Sequence, residues 1–299
     1  MLARLGLGTV QFGMHYGVSN RLGSPGETEI VAILERAVAS GVGYLDTAFA
    51  YPNSEALIGR HLAPGSNLKI VTKTAPVASI GTTRDPKAAI LDAVASSMDR
   101  LRIDRLYGLL VHHATDLGKP GWESLVEALD EARSRGWVSH IGASVYNEAE
   151  LELVESRFRP GIVQGPINVL DTRLLSSKCF ARLKAGGTEM HARSVFLQGL
   201  LLMQPSAMPA FFAPVKAALA SLQASWAEQG TSPLAACLGF VLGRPDIDAA
   251  IVGVNSLREF EEVQSAAASR PAGRNTMLES GPSIDPRFLD PSLWPSFAH

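Results

Sequence analysis

Cysteine is scarce in this sequence: its 299 residues include only Cys179 and Cys237. Two cysteines cannot build a disulfide framework. Neither stands in a C-x-x-C or Cys/His ligand spacing, so no metal site is expected. A surplus of charge of one sign is also missing. Lys and Arg number 27 against 29 Asp and Glu, a net charge of −2. That balance gives no electrostatic reason to expect nucleic acid or an anionic membrane as a partner. No apolar run reaches the ~18–20 residues of a membrane span. The start of the chain has no basic segment leading into an apolar one. The expectation is a soluble, cytoplasmic protein of a reducing compartment.

What is present is enough apolar material for a large core: 46% of residues are hydrophobic and 19% charged, the latter below the usual ~25% and contrary to disorder. Short, continuous apolar runs recur at Leu5–Thr9, Tyr44–Thr47, Lys69–Lys73, Leu106–His112, Val138–Ser144, Ile162–Pro166, Met190–Val195 and Ala249–Val254. Runs without period-two alternation suit strands covered on both faces. Amphipathic segments separate them. Thr28–Ser40 places Ile30, Ile33, Leu34 and Ala37 on one face and stops at Gly41. Pro86–Leu101 opens with Asp85 as N-cap and proline at the first position. Similar segments cover Ser54–Leu62, Trp122–Arg135, Glu148–Ser156, Ser177–Leu183, Pro233–Gly243 and Leu257–Ala266, with an additional helix over Pro214–Glu228. Eight strands alternating with eight helices predict a (β/α)8 TIM barrel over residues 1–268. Residues 269–299 read as an irregular tail packing near the barrel mouth, with Trp294 as an anchor. A doubly wound open sheet is the alternative, but no linker between halves is visible.

In a barrel the chemistry belongs at the C-terminal ends of the strands. The second, third and fourth runs end in Asp46, Lys73 and His112, and Tyr51 follows Asp46 by five residues. Neighbouring strands are ~4.8 Å apart, so the three ends can form one cluster. A phenol is a poor acid at neutral pH, and a nearby ammonium stabilises its phenolate while a carboxylate holds the ammonium. On that argument Lys73 lowers the Tyr51 pKa, and His112 donates to the same substrate oxygen. His112 and His113 are expected to point to opposite sides of the strand. Taken singly, the aspartate reads as a turn residue, the lysine as a solvated charge and the tyrosine as a surface aromatic. Their conjunction at successive strand ends is what points to chemistry.

Segment Leu45–Gly59 (LDTAFAYPNSEALIG) resembles the D-T-A-x-x-Y-G-x-S-E-x-x-L-G signature of the aldo-keto reductase superfamily. Further matches are Leu5–Tyr16 (LGLGTVQFGMHY), Thr72-Lys73, Leu109–Asp116 (LLVHHATD), Ile141–Ser144, Val163-Gln164, Phe196–Leu201 and Ile251–Glu262. The resemblance implies a catalytic tetrad of Asp46, Tyr51, Lys73 and His112. It also implies a nicotinamide cofactor, NADP(H) with NAD(H) possible, held without a G-x-G-x-x-G motif. Indeed Gln11 stands where the third glycine after Gly6 and Gly8 would be.

For cofactor contacts it implies Ser144 and Gln164 at the carboxamide, with Arg193, Ser194, Leu197 and Gly199 near the phosphates or nicotinamide face. Gly253, Ser256, Arg258 and Glu262 would lie along the adenosine half. Gln11, Phe12, Met14 and Phe49 are expected to rim the pocket of a small-molecule carbonyl or sugar substrate. The implied activity is the interconversion of a carbonyl and its alcohol; a catalytically silent, cofactor-binding regulatory or sensor subunit of the same fold is the alternative.

Four departures stand out. Pro52 replaces a glycine, Val145 an asparagine, and Arg193 a tyrosine that stacks on nicotinamide. Glu259 replaces an arginine for the cofactor's 2′-phosphate; a carboxylate there repels that phosphate unless Arg258 compensates.

Overall fold

The computed structural model describes residues 2–76, 85–268 and 284–295. Eight parallel strands close a barrel in chain order: β1 (Leu5–Gly8), β2 (Tyr44–Asp46), β3 (Lys69–Lys73), β4 (Leu106–Val111), β5 (Val138–Ser144), β6 (Ile162–Pro166), β7 (Glu189–Arg193) and β8 (Ala249–Gly253). The ring closes through β1 against β8, with Leu5 beside Ala250 and Gly8 beside Gly253. This is the (β/α)8 TIM barrel expected from the alternation of runs, and the strand ends differ from the sequence reading by a residue or two.

The helices are α1 (Val10–Gly13), α2 (Glu27–Ala39), α3 (Ser54–His61), α4 (Pro86–Leu101), α5 (Trp122–Ser134), α6 (Glu148–Arg157), α7 (Lys178–Ala185), α8 (Ala213–Glu228), α9 (Pro233–Leu242) and α10 (Leu257–Ala268). Helix α2 buries Ile30, Ile33, Leu34 and Ala37, the stripe its sequence spacing dictates. Asp85 caps α4 by accepting from the Ala88 N–H at 2.9 Å, and Arg102 ends it in the left-handed conformation. Asn147, Ser177 and Ser232 cap α6, α7 and α9 in the same way. Among the helices of the described residues, only α1 has no counterpart in the sequence reading, since four residues are too few to show a period.

The barrel interior is filled by Tyr44, Val71, Leu110, Ile162, Ala249 and Ile251. Below them, at the N-terminal end, Glu189 gathers polar groups. It accepts from the hydroxyls of Tyr44 (3.3 Å) and Tyr107, while His191 Nε2 lies 3.0 Å away. That end is thus plugged by side chains, and the open mouth is at the C-terminal ends of the strands.

Of the expected tail, residues 269–283 and 296–299 lie outside the described residues. Residues 284–295 form two short 3-10 turns. Phe288 and Leu289 are buried in the core, and Trp294 packs edge-on to Phe212 with ring centroids 4.7 Å apart. Among the described residues no helix is long and apolar enough to cross a membrane.

Candidate active site

Asp46 and Lys73, at the ends of adjacent strands β2 and β3, form a buried ion pair. The Lys73 ammonium donates to both Asp46 oxygens, at 3.0 and 2.8 Å, and to the Thr47 carbonyl at 2.8 Å. From β6 across the barrel, the Gln164 amide donates to Asp46 Oδ1 at 2.7 Å. Burying a charge is tolerable only with such complete pairing. Tyr51 lies above the pair, its ring centroid 5.4 Å from Lys73 Nζ. His112, the residue after β4, meets the Tyr51 ring edge-on at 5.9 Å. The structure therefore brings the four candidate catalytic residues together at one mouth.

The loop carrying Tyr51 is fixed from beneath by the rest of its own motif. Ser54 Oγ donates toward the Thr9 carbonyl (3.0 Å) and also meets Thr9 Oγ1 (2.9 Å) and Thr47 Oγ1 (3.1 Å). Thr9 Oγ1 in turn donates to the Asp46 carbonyl at 2.9 Å. Glu55, 2% exposed, accepts from Thr72 Oγ1 at 2.6 Å and from Arg100 Nε and Nη2 at 2.9 and 2.6 Å. Arg100 also covers the Phe49 ring at 4.7 Å. On the other side α1 presses on the loop through Gly13, where an added Cβ would stand 1.9 Å from the Pro52 carbonyl oxygen. Only a glycine permits that approach.

The electrostatics correct one expectation. The Tyr51 phenol is raised above its ordinary value, not lowered. Burial is the main cause and the Asp46 carboxylate adds to it, while Arg193 pulls the other way. Lys73 does not reverse this because its ammonium is turned onto Asp46 and Thr47, under the ring. His112 is pushed down to about 3, first by burial and then by Lys73, His113 and Arg193. It is a neutral imidazole, and its buried Nδ1 has no hydrogen-bond partner among the described residues. His113 does not face away from it: the two rings stack in parallel, centroids 4.6 Å apart. Strand β4 ends at Val111, so strand alternation no longer governs the pair.

A cavity of about 340 Å³ runs from Asp46 and Tyr51 along the ends of β1, β7 and β8 to Glu259 and Glu262 on α10. Gln164, Arg193, Ser194, Gly199, Gly253 and Glu262 line it as cofactor candidates, and Gln11 lines it as a substrate candidate. Others lie elsewhere. Phe12 is buried in the core because α1 turns it inward, and Met14 is exposed. Phe49 lies under Arg100, away from the cavity. Leu197 is fully buried in the core, and Ser144 is buried beside Gln164 at the end of β5 without lining the cavity. Ser256 caps α10, its Oγ accepting from the Glu259 N–H at 3.1 Å. The Arg258 side chain is 88% exposed and pairs with Glu262. Arg193 reaches over the Tyr146 ring at 4.1 Å and donates to the Val145 carbonyl at 3.1 Å.

The sequence reading missed Tyr16, Asn20, Gln198 and Asn255 as lining residues. Tyr16 lies within a quoted motif, but its loop has no periodicity to say which way it faces. Burial raises its hydroxyl to about 12.

The cavity suits a long, jointed ligand such as a dinucleotide. Its floor depends on missing side chains: an added Cβ at Gly199 would stand 1.8 Å from Ser19 Oγ, and one at Gly253 2.3 Å from the Gln11 amide. The β7 loop holds Ser194, Leu197, Gln198 and Gly199 in the left-handed region, strain of a kind that collects at ligand sites. The buried Gln11 Oε1 has no partner among the described residues and accepts a donor from whatever enters.

A parallel barrel with its polar groups and long cavity at the C-terminal mouth is the architecture of the (β/α)8 enzymes. Within that class, the profile of the Aldo/keto reductase family matches residues 4–271, and the chain belongs to that family. Solved structures agree in fold. An aldo-keto reductase from Bacillus halodurans, in its holo form, superposes with a TM-score of 0.73 at 22% identity, covering 90% of this chain and 88% of the other. A Pseudomonas aeruginosa protein described as an aldo-keto reductase gives 0.65 at 21% identity, with 89% of each chain covered. No match to this chain is found among curated proteins. Family and fold together support an NAD(P)-dependent oxidoreductase.

Proposed function

We propose that the protein interconverts a carbonyl compound (aldehyde, ketone or sugar) and its alcohol, with Tyr51 as the proton-transferring group. The observation that carries this reading is the buried Asp46–Lys73 pair directly beneath a tyrosine that opens on the cavity. A bound nicotinamide cofactor, NADP(H) or NAD(H), supplies or accepts the hydride. Gln164, Arg193, Ser194, Gly199 and Gly253 would hold it, with Glu262 at the far end.

The chain's own groups divide the remaining work. Tyr51 keeps its proton across the neutral range because burial and Asp46 disfavour the phenolate. It is therefore ready to protonate the oxygen of a carbonyl as negative charge develops there. Lys73 faces the Tyr51 ring and limits the cost of the phenolate left behind, while Asp46 and Gln164 hold Lys73 in position. Neutral His112 offers a hydrogen bond to the same oxygen without competing for the proton.

Tyr51→Phe tests the reading. It is expected to abolish turnover of an aldehyde, ketone and aldose panel while leaving cofactor titration by nicotinamide fluorescence unchanged. Tight cofactor binding by the wild type with no turnover across the panel would instead select the silent regulatory alternative.

A further inference from the structure

The two ends of the cavity differ in character. One is formed by Asp46 and Tyr51, the other by Asn255, Glu259 and Glu262. With the reacting ring beside Tyr51, the second nucleoside of a dinucleotide reaches the Glu259 end.

A helix N-terminus ordinarily attracts anions through its free N–H groups. At α10 two of those groups, and the Asn255 N–H just ahead of the helix, are already engaged. The Leu257 N–H donates to Glu29 Oε1 at 2.5 Å, the Asn255 N–H to Glu259 Oε2 at 2.7 Å, and the Glu259 N–H to Ser256 Oγ at 3.1 Å. The Asn255 side-chain amide also donates to Glu259, at 3.2 Å, and its Oδ1 accepts from Asn20 at 2.9 Å. Two of the backbone donors thus end on carboxylates of the chain itself. Among the described residues, no Lys or Arg lines this end of the cavity, its one lining arginine being Arg193 near the other end. Arg258 lies outside the cavity lining and holds Glu262 at 3.0 Å, and Arg36 holds Glu261 at 3.1 Å.

We infer that this end excludes a phosphate on the ribose and accepts a free diol, so that the protein takes NAD(H) in preference to NADP(H). The inference rests on the oxidoreductase reading above and narrows its cofactor. Ribose hydroxyls have protons to give to a carboxylate, whereas a phosphate dianion offers only acceptor oxygens and like charge. Glu259 is held by its bonds to Asn255, and Glu262 lies one turn further along the same helix. For Arg258 to meet a phosphate it would have to leave Glu262 and swing into the cavity, which leaves that carboxylate unpaired beside the new anion.

The test is fluorescence titration of wild type, Glu262→Gln and Arg258→Ala with NADH and with NADPH separately. Wild type is expected to bind NADH at least about tenfold more tightly than NADPH, the scale of one like-charge contact in a partly shielded site. Glu262→Gln is expected to narrow that gap by strengthening NADPH binding, and Arg258→Ala to leave it in place. NADPH binding by wild type as tight as NADH binding overturns the inference and leaves the oxidoreductase reading standing. So does a loss of NADPH affinity in Arg258→Ala, which would show that this arginine receives the phosphate. Failure of both cofactors to bind overturns the underlying reading and the inference with it.

Discussion

Removing one member of the Asp46–Lys73 pair is expected to cost far more stability than removing both. The Asp46 and Lys73 side chains are 6% and 2% exposed, so both charges are largely removed from water. In Lys73→Met the carboxylate keeps one neutral donor, Gln164 at 2.7 Å. In Asp46→Asn the ammonium keeps the Thr47 carbonyl at 2.8 Å. An uncompensated buried charge costs about 3–5 kcal/mol. One remaining hydrogen bond to a charged group returns part of that, so each single variant should lose roughly 3 kcal/mol. The double variant Asp46→Asn/Lys73→Met carries no buried charge at this site and a side chain of similar length in place of lysine. Its loss should be about 1–2 kcal/mol, against roughly 6 if the two effects added, giving a coupling energy near 4 kcal/mol. Equilibrium urea unfolding of all four proteins measures this, with an unchanged denaturant slope as the check that only stability has moved. Singles that each lose under about 1 kcal/mol, or a double variant equal to their sum, would refute the claim that the pair is desolvated and coupled. The double variant separates stability from chemistry as well: it should fold yet fail to turn over carbonyl substrates.

Two further expectations concern the same mouth. The His112 imidazole is neutral when folded down to about pH 3, while an unfolded histidine takes a proton below about 6.5. Between those values the unfolded chain binds more protons, so stability falls as pH drops from about 6.5 toward 3, by up to ~1.4 kcal/mol per unit from this residue. His112→Gln should flatten that slope in pH-dependent unfolding. An unchanged slope would show that His112 titrates normally. Gly13→Ala places a methyl group 1.9 Å from the Pro52 carbonyl oxygen. It should displace the Tyr51 loop and lower turnover at least ~10-fold, with cofactor affinity less affected; unimpaired turnover would mean that α1 does not position that loop.

The barrel was legible because its strands are buried on both faces and therefore read as short apolar blocks. The helices were legible because caps such as Asp85 and stripes such as Ile30–Ile33–Leu34–Ala37 are local signals. What escaped was whatever depends on how the chain turns after a strand. Four residues of α1 send Phe12 into the core and leave Met14 exposed. No strand alternation could foresee that. The stacking of His112 on His113 escaped for the same reason, since the strand stops one residue earlier. Ser256 has a local role of another kind. A serine three residues before a glutamate, ahead of an apolar-periodic segment, is a helix-cap pattern, and in the structure the hydroxyl is engaged by the Glu259 N–H. That cap is a structural role the resemblance did not supply.

The motif from Asp46 to Glu55 shows why a site can be readable in sequence while its electrostatics are not. Asp46 and Tyr51 face the cavity, while Thr47, Ser54 and Glu55 are buried. Ser54 binds both Thr47 and Thr9, and Glu55 ties β3 to α4 through Thr72 and Arg100. The motif is thus as much a folding unit as a set of reacting groups, and its spacing reflects both demands. Spacing specifies that Lys73 lies near Tyr51. It does not specify that the ammonium lies under the ring, turned onto a carboxylate and a carbonyl. Whether an ammonium lowers a phenol depends on that orientation and on whether its charge is already neutralised. In this mouth burial and the Asp46 carboxylate prevail over the one cation that pulls the phenol down, Arg193, so Tyr51 holds its proton more firmly than a free phenol does.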